Sequence, residues 1–150
     1  MRTIFAQATA RGKAGVAIVR ISGPDAFAIG IELCGSLPLA GQSSLRQVRS
    51  KSGDLLDHAL VLRFEAPKSF TGEDVIELHL HGSGAIIQRV EREIFATGLA
   101  RGADAGEFTQ RALLNGKLDL AQVEGLGDLL AAETEAQRKH AMKSFSGAVA

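Results

Sequence analysis

The sequence predicts an α+β fold, a mixed, mostly antiparallel sheet covered by helices and followed by a long α-helix. Three observations carry that prediction. β-rich apolar runs at Val16 to Ile21, Leu55 to Phe64 and Val75 to His81 are each bounded by turn residues. Between Ala85 and Ala96, Ile86, Ile87, Val90, Ile94 and Phe95 recur at helical spacing with Gln88, Arg89, Glu91 and Arg92 outward, as in an amphipathic helix lying on a sheet. From Leu120 the composition shifts to Ala, Leu, Glu and Gln, with Leu120, Val123, Leu126 or Gly127, Leu130, Thr134, Gln137, Ala141 and Phe145 at three-four spacing.

In chain order, Thr3 to Ala8 reads as a first short strand. Arg11 to Gly15 is a glycine-and-cation loop, and Val16 to Ile21 a buried strand interrupted by Arg20. A long cation among Ile18, Val19 and Ile21 either snorkels to water or pairs with an anion, because an unpaired buried charge is costly. Ser22-Gly23-Pro24-Asp25 stops the strand and opens a helix over Ala26 to Cys34, with Ser22 or Asp25 as the cap and Gly35 as the stop. Ser36 to Ser44 is a loop. Leu45 to Val48 and Leu55 to Phe64 form a hairpin around Ser50 to Asp54, where Arg46, Arg49 and Lys51 make a local basic patch or a solvated rim. After the amphipathic helix, closed by Gly98 and Gly102, a further helix begins near Gly106 and ends at Asn115-Gly116. Lys117 follows, and Asp119 is placed to cap the next helix. The long helix from Leu120 has a thinning apolar face and no core of its own, so it reads as the opening of a second, helical domain.

Composition limits the function. Seventeen basic residues balance seventeen acidic ones, so no domain-wide positive field holds nucleic acid, and exposed aromatic pairs for stacking are lacking. A small RNA-binding protein is disfavoured. The lone cysteine, Cys34, lies in the apolar pattern of Ile29, Ile31 and Leu33, which excludes an internal disulfide and suits a reducing compartment. No apolar run is long enough for a signal sequence or a membrane span, so a cytoplasmic protein without membrane contact is expected. GKAG is followed by a strand, and G-x-x-x-x-G-K-[ST] does not occur, so no phosphate loop is present in this chain.

The most informative stretch is Ser69 to Gly84, SFTGEDVIELHLHGSG. Thr71 and Gly72 make a turn into a strand on which Glu77, His79 and His81 alternate with apolar residues and therefore share one face. That face is either solvated or the wall of a pocket. A metal site is not expected: two histidines supply too few ligands for zinc, and HxxxH and CxxC are absent.

Three stretches, Gly15 to Pro24 (GVAIVRISGP), Ser69 to Gly84 (SFTGEDVIELHLHGSG) and Gly106 to Glu124 (GEFTQRALLNGKLDLAQVE), resemble the N-terminal portion of the bacterial tRNA-modification GTPase family MnmE, also called TrmE. The resemblance implies a tetrahydrofolate-binding domain over residues 1 to 118, related in fold to the folate domain of aminomethyltransferases, with 119 to 150 opening the central helical domain. It implies a folate-binding, dimer-forming module, or alternatively a ligand-free dimerisation scaffold of the same fold. The family modifies C5 of the wobble uridine of tRNA together with a flavin-dependent partner, and binds GTP, Mg and K through a separate GTPase domain. A chain without a phosphate loop would not hydrolyse GTP alone.

Carried over residue by residue, the family's folate contacts fall on Arg20 of VRIS, Glu77 of VIEL and Lys117 of NGKLDL. No catalytic residue is implied. The ligand would be 5-formyl-tetrahydrofolate or another tetrahydrofolate. Ala17 and Ala105 stand where the family usually has Gly and Pro. Of the two histidines the resemblance favours His81 as a structural or site residue, since position 79 varies in the family. Chemically, the carboxylate of Glu77 suits the donors of a pterin's amino-pyrimidine edge, and Arg20 and Lys117 suit the carboxylates of the folate tail. Val75 and Leu78 would line an apolar wall against the ring.

Overall fold

The computed structural model describes residues 2–9, 15–119 and 121. The cationic loop from Arg11 to Ala14 and the long helix expected from Leu120 lie outside the described residues. The chain divides into two compact units, Met1–Ala105 and Gly106–Ala150.

The first unit is a six-stranded mixed sheet in the order β3-β4-β5-β2-β1-β6. Its strands are β1 (Thr3–Gln7), β2 (Val16–Ser22), β3 (Ser43–Arg49), β4 (Leu55–Phe64), β5 (Val75–His81) and β6 (Ala100–Gly102). Helix α1 (Ala26–Cys34) follows β2, and α2 (Gly84–Ala96) joins β5 to β6. All pairs are antiparallel except β1 with β6. The α+β class and the mostly antiparallel sheet expected from the sequence are therefore observed.

Alternation sorts the sheet's side chains into two faces. Phe5, Val19, Ile21, Ala59, Val61, Ile76, Leu78 and Leu80 point to one side, where Ile29 and Leu33 of α1 and Ile87, Val90 and Ile94 of α2 complete a core sealed from water. Gly30 is where α1 meets the sheet most closely: a Cβ there would stand 2.9 Å from Leu37 and 3.3 Å from Ile76. The opposite face receives neither helix. Along it Val16, Leu45 and Leu60 remain 53%, 72% and 36% exposed.

Two expectations are corrected. Neither Ser22 nor Asp25 caps α1 through its side chain; Asp25 occupies the cap position without such a bond. Instead Thr3 Oγ1 accepts the Asp25 N–H at 2.8 Å, and Ser22 completes β2. Gly102 does not close α2, which ends at Thr97 and Gly98; it lies in β6, an edge strand too short for periodicity to reveal.

In the second unit, α3 (Glu107–Leu114) carries Glu107 in its first turn. Arg111 Nη2 donates to Glu107 Oε2 at 3.2 Å, the i, i+4 pair expected from the sequence, and both residues are buried. No helix among the described residues is long and apolar enough to cross a membrane.

Candidate functional site

Glu77 sits at the middle of β5, itself an inner strand of the sheet. Register places Arg20 of β2 directly beside it on one side and Leu62 of β4 on the other. Same-face cross-strand neighbours are close enough to bond. Arg20 Nε donates to Glu77 Oε2 at 3.1 Å, with the side chains 19% and 14% exposed. Of the two alternatives open for Arg20, pairing with an anion is the one realised.

The guanidinium is also covered. Arg20 Cζ lies 4.8 Å from the centroid of the Phe70 ring, a cation–π contact that shields the cation while leaving its charge intact. Phe70 is held there by its neighbour: the fully buried Thr71 shares a 2.7 Å hydrogen bond between its Oγ1 and Ser22 Oγ, and that hydroxyl also donates to Glu73 Oε1 at 2.8 Å. Thus the Thr71-Gly72 turn is fastened to the end of β2, two residues along from Arg20. Phe70 was not legible as a site residue, because a single Phe beside a turn carries no periodic signal.

His79, two residues along β5, completes the group. Its Nε2 stands 3.3 Å from Glu77 Oε1, so both carboxylate oxygens are engaged, one by Arg20 and one by His79. Ile18 and Leu60 are the cross-strand neighbours of His79 and give the charged group apolar flanks.

His81 behaves differently. Strand alternation starts it on the Glu77 face, but β5 ends there, and the ring Nδ1 reaches Asp57 Oδ1 at 2.7 Å while the His81 N–H donates to Asp57 Oδ2 at 2.8 Å. Asp57 is buried and also accepts the His58 N–H at 2.8 Å. His81 thus ties off β5 before Gly82, and His79 is the histidine that contacts Glu77. Among the described residues no group of three His, Cys, Asp or Glu is arranged to hold a metal ion.

Lys117 is exposed in the turn after α3, where its N–H donates to Ala112 O at 2.7 Å. It belongs to the second unit. A cavity of about 760 Å³ is bordered by Phe5, Ile87, Phe95 and Gly102 on the helix side of the first unit, and none of Arg20, Phe70, Glu77 or His79 lines it. The Arg20–Glu77–His79 group lies on the other sheet face, with the Phe70 ring over Arg20. Cys34 packs against the core, where burial pushes its thiol from the ordinary 9.0 to about 11, against a smaller lowering effect of Arg46, so it keeps its proton near neutral pH.

Comparison with known proteins identifies the family. The family model described as the GTP-binding protein TrmE N-terminus matches residues 3–117. Proteins named tRNA modification GTPase MnmE are similar along nearly the whole chain. That of Jannaschia sp. (strain CCS1) is 69% identical over 147 residues, 98% of this chain and 34% of the relative. Those of Dinoroseobacter shibae and Roseobacter denitrificans are 57% and 54% identical, covering 98% and 99% of this chain and 34% and 35% of their own lengths. The chain spans about a third of the length of the curated relatives it matches. With its mixed sheet, its FTGEDV turn over β2 and a family match running from β1 to Lys117, the chain belongs to the TrmE N-terminal family, the N-terminal region of the tRNA modification GTPases MnmE.

Proposed function

We propose that this chain is the tetrahydrofolate-binding, dimer-forming part of a GTPase that modifies C5 of the wobble uridine of tRNA with a carboxymethylaminomethyl-type group. The observation that carries the proposal is the largely buried Arg20–Glu77 pair on the sheet face turned away from α1 and α2, between the buried Ile4, Ser22 and Val75 on one side and the exposed Val16, Leu45 and Leu60 on the other. An ionised carboxylate has about four lone-pair sites. Arg20 and His79 use one site on each oxygen, which leaves acceptors for the parallel N–H donors of a pterin edge. Arg20, committed to Glu77 and Phe70, serves chiefly to hold that acceptor, and Lys117 suits the carboxylates of the folate tail. Leu78 points into the core on the other face and Val75 is buried, so the apolar contact to a flat ring falls to Ile18, Leu60 and Leu62 and not to the wall expected from the sequence.

The same reading extends to the whole protein. Relatives about three times as long would supply a nucleotide domain for GTP, Mg and K, would work with a flavin-dependent partner, and would meet tRNA as that complex in the cytoplasm. The domain boundary near residue 118 belongs to this reading as well. A homodimer joined through the open sheet face would supply the walls that the Glu77 surface lacks.

One observation favours a second reading, a scaffold that no longer binds folate: both oxygens of Glu77 are already partnered within the chain. Isothermal calorimetry with 5-formyl-tetrahydrofolate separates the two. Saturable binding with one ligand per chain is expected, and a folded, dimeric sample that takes up no ligand would leave the scaffold.

A further inference from the structure

We infer that His79 is a positioning residue of the site, holding Glu77 through an Nε2-bound proton so that the carboxylate is presented in one fixed orientation. The inference deepens the folate reading and rests on it only for the ligand. Glu77 has several side-chain torsions, and a bond from the Nε–H of Arg20 to Oε2 still lets the carboxylate turn about that oxygen. The second contact, His79 Nε2 to Glu77 Oε1 at 3.3 Å, removes that freedom.

The chemistry fixes the proton. An ionised carboxylate only accepts, so the ring nitrogen facing it must be the donor, and Glu77 selects the imidazole state protonated at Nε2. His79 can play this part because β5 continues beyond it. It has paired neighbours on both sides, Ile18 and Leu60, and its side chain is 23% exposed, whereas His81 at the strand end is 68% exposed and turned to Asp57. Two donors on two oxygens, in a surface lined by apolar residues, make a preorganised acceptor, which binds a donor pair at less entropic cost than a free glutamate does.

The test uses the full chain and two readouts. In calorimetry with 5-formyl-tetrahydrofolate, His79→Ala should weaken binding about three- to tenfold. His79→Gln, whose side-chain amide can donate from a similar reach, should restore most of that loss. In ¹⁵N NMR of the imidazole groups, His79 should show a proton on Nε2, and Glu77→Ala should change that signal while the His81 signal stays. Unchanged affinity in His79→Ala, with binding still lost in Glu77→Ala, overturns the inference and leaves folate binding standing. A wild-type chain that binds no folate sinks the folate reading instead. The inference is then decided by the imidazole signal alone: a neutral His79 protonated at Nδ1, or one indifferent to Glu77→Ala, overturns it.

Discussion

At the scale of single residues, the Arg20–Glu77 pair and Cys34 illustrate opposite responses to burial. The charged pair tolerates a half-dry setting because each ion has its counter-charge and Arg20 also has an aromatic cover. Replacing Glu77 with Ala should leave the donors of a bound pterin unmatched, weakening folate binding by about 1 to 3 kcal/mol, roughly tenfold to a hundredfold. Calorimetry on a variant with wild-type circular dichroism checks this, and an unchanged dissociation constant would remove Glu77 from the site. Cys34 answers burial by keeping its proton. Its thiol is raised to about 11 in the folded chain, so between pH 9.0 and 11 the unfolded chain releases a proton that the folded chain retains. The contribution is intact below that window and is lost as pH rises through it. Urea unfolding at pH 8 and pH 10.5 should therefore show wild type losing more stability than Cys34→Ala. The six lysines, which titrate in the same range, are common to both proteins, so the difference between them isolates the thiol. An equal loss in both would mean that the thiol is not shielded.

At the scale of elements, the joints between strands hold the site in place more than the strands themselves do. Gly23 turns the chain from β2 into α1 at φ +138°, and a Cβ there would meet the Thr3 Cα at 2.6 Å. Gly23→Ala should cost about 1 to 3 kcal/mol for the backbone alone, with the backbone overlap adding to it. A chemical-denaturation midpoint equal to wild type would contradict that. What was legible in the sequence follows the same division. The limits of β4 and β5 agree with their apolar alternation, because each is long, has a buried face and ends at turn residues. Family resemblance named Arg20 and Glu77 as separate folate contacts, and nothing in the sequence paired them with each other; the register of β2 against β5 does. The sheet order was not legible: β1 and β6 are neighbours through a parallel pairing of three residues each, and nothing local encodes that. His79 and His81 were indistinguishable by alternation. What separates them is Asp57, more than twenty residues earlier, whose carboxylate captures the histidine at the strand end. Ser22 looked like a helix cap because serine before a helix often is one, but its hydroxyl is used by Thr71 and Glu73.

At the scale of the whole molecule, the proposed homodimer rests on a sheet with one face covered by helices and the other open along β3, β4 and the start of β2. Val16, Leu45 and Leu60 stand exposed on the open face, and β3 is an edge strand paired only with β4. An apolar sheet face beside a free edge invites association, and a two-fold pairing would set like patches against each other. Such a dimer would also close over Arg20, Glu77 and His79, which lie on the same face. Leu45, the most exposed of the three apolar residues, is the sensitive position: Leu45→Glu would bury a carboxylate at the contact without touching the core on the other side. Sedimentation velocity at low micromolar concentration should show a wild-type dimer, and Leu45→Glu should sediment as a monomer with unchanged circular dichroism. Because a ligand held between two copies binds the dimer in preference to the monomer, 5-formyl-tetrahydrofolate should tighten the wild-type association. A wild-type chain that remains monomeric with and without folate would sink the dimer. A Leu45→Glu dimer as tight as wild type would move the interface to another face, and association indifferent to the ligand would place the binding surface within one copy.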